Sequence, residues 1–490
     1  MNEHHDIAAL IRARAPLILV ETHEEPEAIA TFQRALGQSL QPLYTWSITR
    51  GLSRLDMDVE AKPMSASEVL GTIRESTQRS VFLLLDFLPF LRYVVTLREL
   101  REIALRHGCA EHTVVLIAAS AELPAEIEAL VTRVRLKLPT EDEIKAMLRE
   151  EANNYSREHA GKRVQVHLGA LDAMVRNLKG LTASDARRIA RKVIADDGMI
   201  CEADLPKVAK AKFDLLNKNG VLSFEFEPIS FADVAGLGRL KRWVEQRRAV
   251  FLGQATRLQL DPPKGLLLLG VQGTGKSLAA KAVAGGFRVP LLRLDMASVY
   301  NKYHGETERN LRESLHSAEV MAPCVLWIDE IEKAFSTSDA DQGTSRRILG
   351  YFLTWMAERK ASIFLVATAN AVDQLPPELL RKGRFDEIFF VDLPSPAVRA
   401  ELFGIHLRKR NLDPARFDLE ALAQASHGFS GAEIEQAIVA SLYAAHAESR
   451  ELDQAHVAAE LAQTRPLSVI MAEKVQALRD WAAERTVPAD

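Results

Sequence analysis

Short apolar runs of strand length recur along the chain, separated by stretches whose apolar positions fall at helical spacing. In the first half they are "LILV" from Leu17, "VFLLL" from Val81 and "TVVLIAAS" from Thr113; in the second they are "LLLL" from Leu266, "CVLWI" from Cys324 and "IFLVATA" from Ile363. Runs this short suit strands covered on both faces, and their alternation with helices predicts an α/β fold on parallel sheets. The longest apolar stretch, "VFLLLDFLPFL", is broken by Asp86 and Pro89 and falls short of the roughly 18 to 20 residues that cross a bilayer. The opening "MNEHHDIAAL" has neither the basic start nor the apolar centre of a secretory leader, so the expectation is a soluble, cytoplasmic protein without a membrane partner. After Pro466, apolar Met471, Val475, Leu478 and Trp481 at helical spacing predict a docked terminal helix.

Composition changes this picture little. A chain of 490 residues exceeds one hydrophobic core and implies several domains. A net charge of -4 gives no global pull toward nucleic acid or anionic membrane. Cys109, Cys201 and Cys324 are scattered without metal-like spacing and read as reduced thiols.

The chemistry concentrates in the second half. In "GLLLLGVQGTGKSLAAKAV" four leucines run into Gly270, Gln272, Gly273, Thr274, Gly275, Lys276, Ser277 and Leu278, then into an alanine-rich helical stretch. This is strand, phosphate loop, helix: glycines let backbone N–H groups turn toward a phosphate, Lys276 reaches the β- and γ-phosphates, and the Ser277 hydroxyl suits magnesium. The apolar strand of "CVLWIDEIEKAF" delivers Asp329, expected to hold magnesium, and Glu330, expected to polarise the attacking water. The third strand ends on Asn370, whose amide suits that water or the γ-phosphate. Arg381 and Arg384 follow in "LLRKGRFD"; a guanidinium suits developing phosphoryl charge, and their place beyond the strand ends points to a neighbour's site.

These motifs, with "FADVAGLGRLK", "NKYHGETERNLRE" and "HGFSGAEIEQAI", resemble the AAA+ ATPase family from Phe231 to about Ala445. The resemblance implies a P-loop AAA+ domain with a helical lid, using ATP and Mg2+ in a homo-oligomeric, hexameric ring. It implies that Asp233, Val234 and Ala235 together with His427, Gly431 and Ala432 frame the adenine, that Arg381 and Arg384 act as trans fingers, and that Lys302, Tyr303 and His304 form a pore loop. Glu387 departs from it, standing where many relatives carry arginine after "GRFD". The whole chain, with its "RPLS…EKVQALRDWAAER" tail, is similar to the AAA family first named as a hypothetical chloroplast reading frame.

The first half raises a separate question. "PLILVETHEEPEAI" joins a strand to a helix through Glu21, Glu24, Glu25 and Glu27, which would repel phosphate. Laid over the second half, Leu17–Val20 fall on Leu266–Leu269 and Glu27 on Lys276; further on, "VFLLLDFL" lies over "VLWIDEI", with Asp86 on Asp329 and Phe87 on Glu330, and later elements keep the same order at nearly constant separation. The two readings are a degenerate AAA-like repeat and an unrelated α/β domain with a helical tail. The former divides the chain into residues 1–140 (degenerate domain), 141–197 (its lid), 198–228 (linker), 229–394 (ATPase domain), 395–465 (lid) and 466–490 (tail).

Three functions fit: an ATP-driven remodeller of an unknown protein substrate, a nucleotide-controlled scaffold or switch, and a nucleic-acid- or ribosome-associated ATPase. For the last, residues 239–264 hold seven Lys/Arg against two acids, but no aromatic-interleaved basic motif accompanies them. A zinc protease is disfavoured because "THEEPE" lacks the second histidine.

Overall fold

The apolar runs become the central strands of two separate sheets. The computed structural model describes residues 3–37, 41–56, 62–106, 110–119, 122–217, 220–225, 229–253, 260–300, 306–335, 342–381 and 383–490. The chain forms two units: one takes Met1–Val164 and Leu178–Gly198, the other Gln165–Asn177 and Met199–Asp490.

In the first unit, β1 (Leu17–Glu21), β2 (Leu43–Ser47), β3 (Gly51–Arg54), β4 (Val81–Leu85), β5 (Thr113–Ala118) and β6 (Val131–Val134) form one sheet in the order β3-β2-β4-β5-β1-β6. All pairs are parallel except the β2–β3 hairpin. Helix α1 (Glu25–Leu36) follows β1 and presses Ala28, Phe32 and Leu36 onto one face of the sheet. Helices α2 (Glu141–Glu158) and α3 (Ala183–Asp197) form a lid-like pair, each opened by a threonine cap, Thr140 and Thr182. Among their cross-links, buried Glu151 of α2 takes a forked pair of bonds from Arg191 of α3 at 2.9 and 3.3 Å.

The second unit opens with a two-residue pair, β7 (Gln165–Val166) and β8 (Met199–Ile200). Its main sheet contains β9 (Leu222–Glu225), β10 (Gly265–Gly270), β11 (Leu291–Leu294), β12 (Cys324–Ile328), β13 (Ile363–Ala369), β14 (Glu387–Val391) and β15 (Val487–Pro488). The order is β15-β14-β10-β13-β12-β11-β9, and only β9 is antiparallel to its neighbour. Five strands, β11-β12-β13-β10-β14, repeat the chain and sheet order β2-β4-β5-β1-β6 of the first unit; each sheet adds an antiparallel edge strand, but β3 follows β2 in the chain whereas β9 precedes β10. A shared order of five strands supports the repeat over the unrelated-domain reading.

The segment 198–228, expected as a linker, carries a helix over Leu205–Leu216 and a short strand that joins the second unit's sheet. Its β9 closes the sheet edge, and Phe213, Val221 and Leu222 are buried in the core of the second unit. Around this sheet stand α4 (Gly238–Phe251), α5 (Lys276–Phe287), the lid helices α6 (Pro396–Lys409) and α7 (Gly431–Ala447), and α8 (Ala472–Ala483). All six residues of β10 are buried between β13 and β14, so the loop at its C-terminal end opens at the middle of the sheet. No described helix is long and apolar enough to cross a membrane.

Candidate nucleotide site

The loop from β10 to α5 spans Val271 to Gly275, and its shape follows from its glycines. Gly273 and Gly275 adopt φ of 79° and 89°, the left-handed region that side-chain-bearing residues avoid. A Cβ on Gly270 would lie 2.1 Å from the Val391 carbonyl oxygen of β14. Lys276, at the first turn of α5, is only 6% exposed, and its Nζ donates to the Gly270 and Val271 carbonyls at 2.9 and 2.7 Å. Burial pushes its amine down to about 8, against the opposing pull of Glu332, Asp329 and Glu330.

The carboxylates at the end of β12 meet this loop through a short chain of hydrogen bonds. Ser277 Oγ donates to Asp329 Oδ1 at 3.2 Å, and Thr368 Oγ1 donates to the same oxygen at 2.6 Å. The Glu330 backbone N–H donates to Thr368 Oγ1 at 3.0 Å, and Asn370 Nδ2 donates to Glu330 Oε1 at 3.0 Å. Lys333 Nζ donates to the other Glu330 oxygen at 2.6 Å. Glu330 has a φ of 49°, a left-handed conformation for a side-chain-bearing residue of the kind that clusters at functional sites.

Three contributors beyond the sequence reading appear here. Thr368 bridges both carboxylate residues; it lies on β13 two positions before Asn370, the residue that follows the strand, so the alternation carried one residue further puts both on one face, which was a readable signal. Glu332 accepts from the Asn370 backbone N–H at 2.9 Å, and its other oxygen is buried without a hydrogen-bond partner among the described residues. Burial pushes the Glu332 carboxyl up. Arg293 of β11 stands 3.6 Å from Asp329 and stacks over the Trp327 ring at 4.9 Å.

A cavity of about 680 Å³ joins these groups to Asp233–Leu237 and to the start of α7. Asp233, Val234, Ala235, Gln272, Gly273, Thr274, Gly275, Ser277, Leu278, Gly431 and Ala432 all line it, as do Lys276, Asp329, Glu330 and Asn370. The lid touches the loop directly: the Ala432 N–H, in the first turn of α7, donates to the Gly273 carbonyl at 3.1 Å. His427 is a correction. It is exposed in the turn before α7 and does not line the cavity, whereas His406 of α6, 8% exposed, does. Histidine identity alone could not separate them, because the wall is set by how α6 packs.

Arg381 is exposed, and Arg384 donates to the Leu353 carbonyl of its own unit; neither lines the cavity. Lys302, Tyr303 and His304 lie outside the described residues. Among the described residues no group of three or more His, Cys, Asp or Glu could hold a metal by protein ligands alone. The Ser277 hydroxyl and Asp329 carboxylate offer the oxygen donors that fit a hard cation keeping most of its waters.

A phosphate loop and acidic strand end under a helical lid define an AAA-type ATP hydrolase. Residues 266–393 match the ATPase family associated with various cellular activities, and residues 416–459 match the AAA+ lid domain. Residues 3–136 and 142–219 match the N-terminal and second domains of SpoVK-like AAA ATPases. The chain is 37% identical over 495 residues to the uncharacterized AAA domain-containing protein ycf46 of Pyropia yezoensis, covering 99% of this chain and 98% of that one. The ycf46 protein of Guillardia theta is 37% identical over 488 residues, covering 98% and 94%. The chain belongs to this family of AAA ATPases. Its second half is also similar to a proteasome-activating nucleotidase of Aeropyrum pernix, 37% identical over 247 residues, covering 48% of this chain and 59% of that one.

Proposed function

We propose that the protein is a Mg2+-dependent ATPase that works as a hexameric ring in the cytoplasm and remodels a protein substrate or complex. The observation that carries the catalytic part is the hydrogen-bonded run from Ser277 through Asp329 and Thr368 to Glu330 and Asn370, beside a buried lysine. In this reading the base lies against Val234 and Ala235, and Lys276 swings from the loop carbonyls to the β- and γ-phosphates. Asn370 and Glu330 then hold the attacking water in line, with Glu330 drawing off its proton as the bond forms. Ser277 and Asp329 would hold Mg2+, which would supply charge neutralisation at the phosphates.

Neither Arg381 nor Arg384 lines the cavity of its own unit, which favours a role in a neighbour's. Similarity to a proteasome-activating nucleotidase and to the cell division cycle protein 48 homolog of Archaeoglobus fulgidus, 34% identical over 238 residues, favours remodelling, with Tyr303 gripping the client. The second reading, an ATP-controlled scaffold or switch, draws on a first unit that keeps the sheet order without a phosphate loop and so suits presentation to a partner.

The test is a Glu330→Gln protein. It is expected to bind ATP as the wild type does while hydrolysing it roughly 10² to 10⁴ times more slowly, since the carboxylate acts only as the reaction proceeds. Wild-type turnover in that variant refutes the assignment of Glu330. The same variant, used as an ATP-locked trap on client proteins, separates remodeller from switch: only a remodeller holds a client inside the ring.

A further inference from the structure

The base-side wall of the cavity is closed by the C-terminal segment, which neither the motifs nor the family resemblance assigns to the site. Helix α4 starts with Leu237 at its cap position, in a left-handed conformation with a φ of 59° and no side-chain cap. Its first donors would therefore be orphans. They end on the tail instead: the Arg239 and Leu240 N–H groups both donate to the Ala489 carbonyl at 3.1 Å, and the Gly238 N–H donates to Asp490 Oδ1 at 3.3 Å. A carboxylate there also meets the positive end of the helix dipole.

The same residues are tied down on their other side. The Ala489 N–H donates to the Phe390 carbonyl of β14 at 2.9 Å, and Ala489 is 2% exposed. Upstream, Arg479 of α8 makes a forked pair of bonds with Asp392, at the end of β14, at 2.9 and 3.0 Å. Pro488, Ala489 and Asp490 line the cavity next to Val234–Leu237. The fit is close: a Cβ on Gly236 would lie 3.0 Å from Asp490 Oδ1.

We propose that residues 487–490 are a strap that positions the base-binding wall: by capping α4 and anchoring it to β14, they hold Val234–Leu237 rigid against the purine. The proposal rests on the reading that the cavity takes ATP with its base on this side. A strap of this kind acts on the base and leaves the phosphate loop alone. It therefore governs affinity for any adenine nucleotide equally and leaves the chemical step intact.

The experiment compares the full chain with a form lacking residues 487–490, and with Asp490→Ala and Asp490→Asn, by fluorescent ADP and ATP titration, steady-state kinetics and inhibition by inorganic tripolyphosphate. Removal of the strap is expected to raise the Kd for ATP and for ADP together by about tenfold, and KM with them, with kcat at saturation and the tripolyphosphate inhibition constant within about twofold of wild type. Asp490→Ala is expected to show a smaller shift of the same kind, about threefold, and Asp490→Asn, which keeps the acceptor oxygen, to restore most of it. Unchanged nucleotide affinity in the truncated form, or equal losses for ATP and tripolyphosphate, overturns the strap. Should the truncated form fail to fold, the Asp490→Ala and Asp490→Asn pair decides by the same criteria. A wild-type chain that binds no ATP overturns the site reading itself, an outcome distinct from either.

Discussion

The two units solve one local problem in different ways: how a sheet holds the first turn of its lid helix. In the second unit the five-residue loop Val271–Gly275 curls back, and its Gly273 carbonyl accepts the Ala432 N–H at 3.1 Å. In the first unit only Thr22, His23 and Glu24 separate β1 from α1, and Glu24 Oε2 accepts the Ser184 N–H at 3.1 Å and the Ser184 hydroxyl at 2.8 Å. Ala432 and Ser184 are each the second residue of their helix, behind the caps Ser430 and Thr182. A loop two residues shorter has no backbone left to wrap a phosphate, and a side chain reaches across in its place. The comparison teaches that both units make the same lid contact, one through a loop backbone and one through a side chain, as the degenerate-repeat reading expects of a unit without a phosphate loop.

Four experiments would break or sharpen this contrast, taken here by expected size. Arg381→Ala should keep ATP binding and lose turnover on the order of 10³-fold if a neighbour's site depends on it. Mixing it with Lys276→Ala protein should recover part of the rate, and full activity in verified monomer would rule out the trans role. Lys276→Ala in the full chain should weaken ATP binding by roughly a hundredfold or more, because the first unit offers no second site. Calorimetry that still finds tight binding would place a nucleotide in the first unit and end the contrast.

ATP affinity should also depend on pH. Lys276 binds phosphate as an ammonium, and burial brings its amine down to about 8. Affinity should be flat below that pH and fall by up to about tenfold per unit above it. A flat profile to pH 9.5 would mean that the amine stays charged in the loop. The smallest effect is expected for Glu24→Ala, which should cost the first unit about 1 kcal/mol, the worth of a charged bond at a helix start. Thermal unfolding should show it in the transition of the first unit, with ATP turnover unchanged.

Much of the second site was legible because its chemistry is local. A phosphate loop is eight consecutive residues whose backbone does the binding, and Asp329, Glu330 and Asn370 each sit where a readable strand ends. The lid side was not, because His406 reaches the cavity through the packing of α6, and no spacing along the chain announces that. The first half was legible in strand order and misleading in register. An ungapped overlay sets Glu27 on Lys276, yet Glu27 lies in the third position of α1 and pairs with Arg34 of the same helix. The separate overlay of "VFLLLDFL" on "VLWIDEI" sets Asp86 on Asp329, whereas the left-handed backbone of Asp86, with a φ of 50°, matches that of Glu330. A shortened loop displaces the helix start after it, and within the later strand apolar residues of similar composition do not reveal a one-residue slip.

The little strand β15 has a further consequence, for solubility. An uncovered parallel edge is a row of unpaired amides and carbonyls on which another chain can add a strand. β15 occupies that edge of β14, and successive residues of a strand turn their N–H groups to opposite sides. Since the Ala489 N–H points inward to Phe390, the group at position 488 would point outward, and proline has no hydrogen there to offer. The sheet thus ends on a residue that cannot donate, a feature that disfavours edge-to-edge pairing at Pro488.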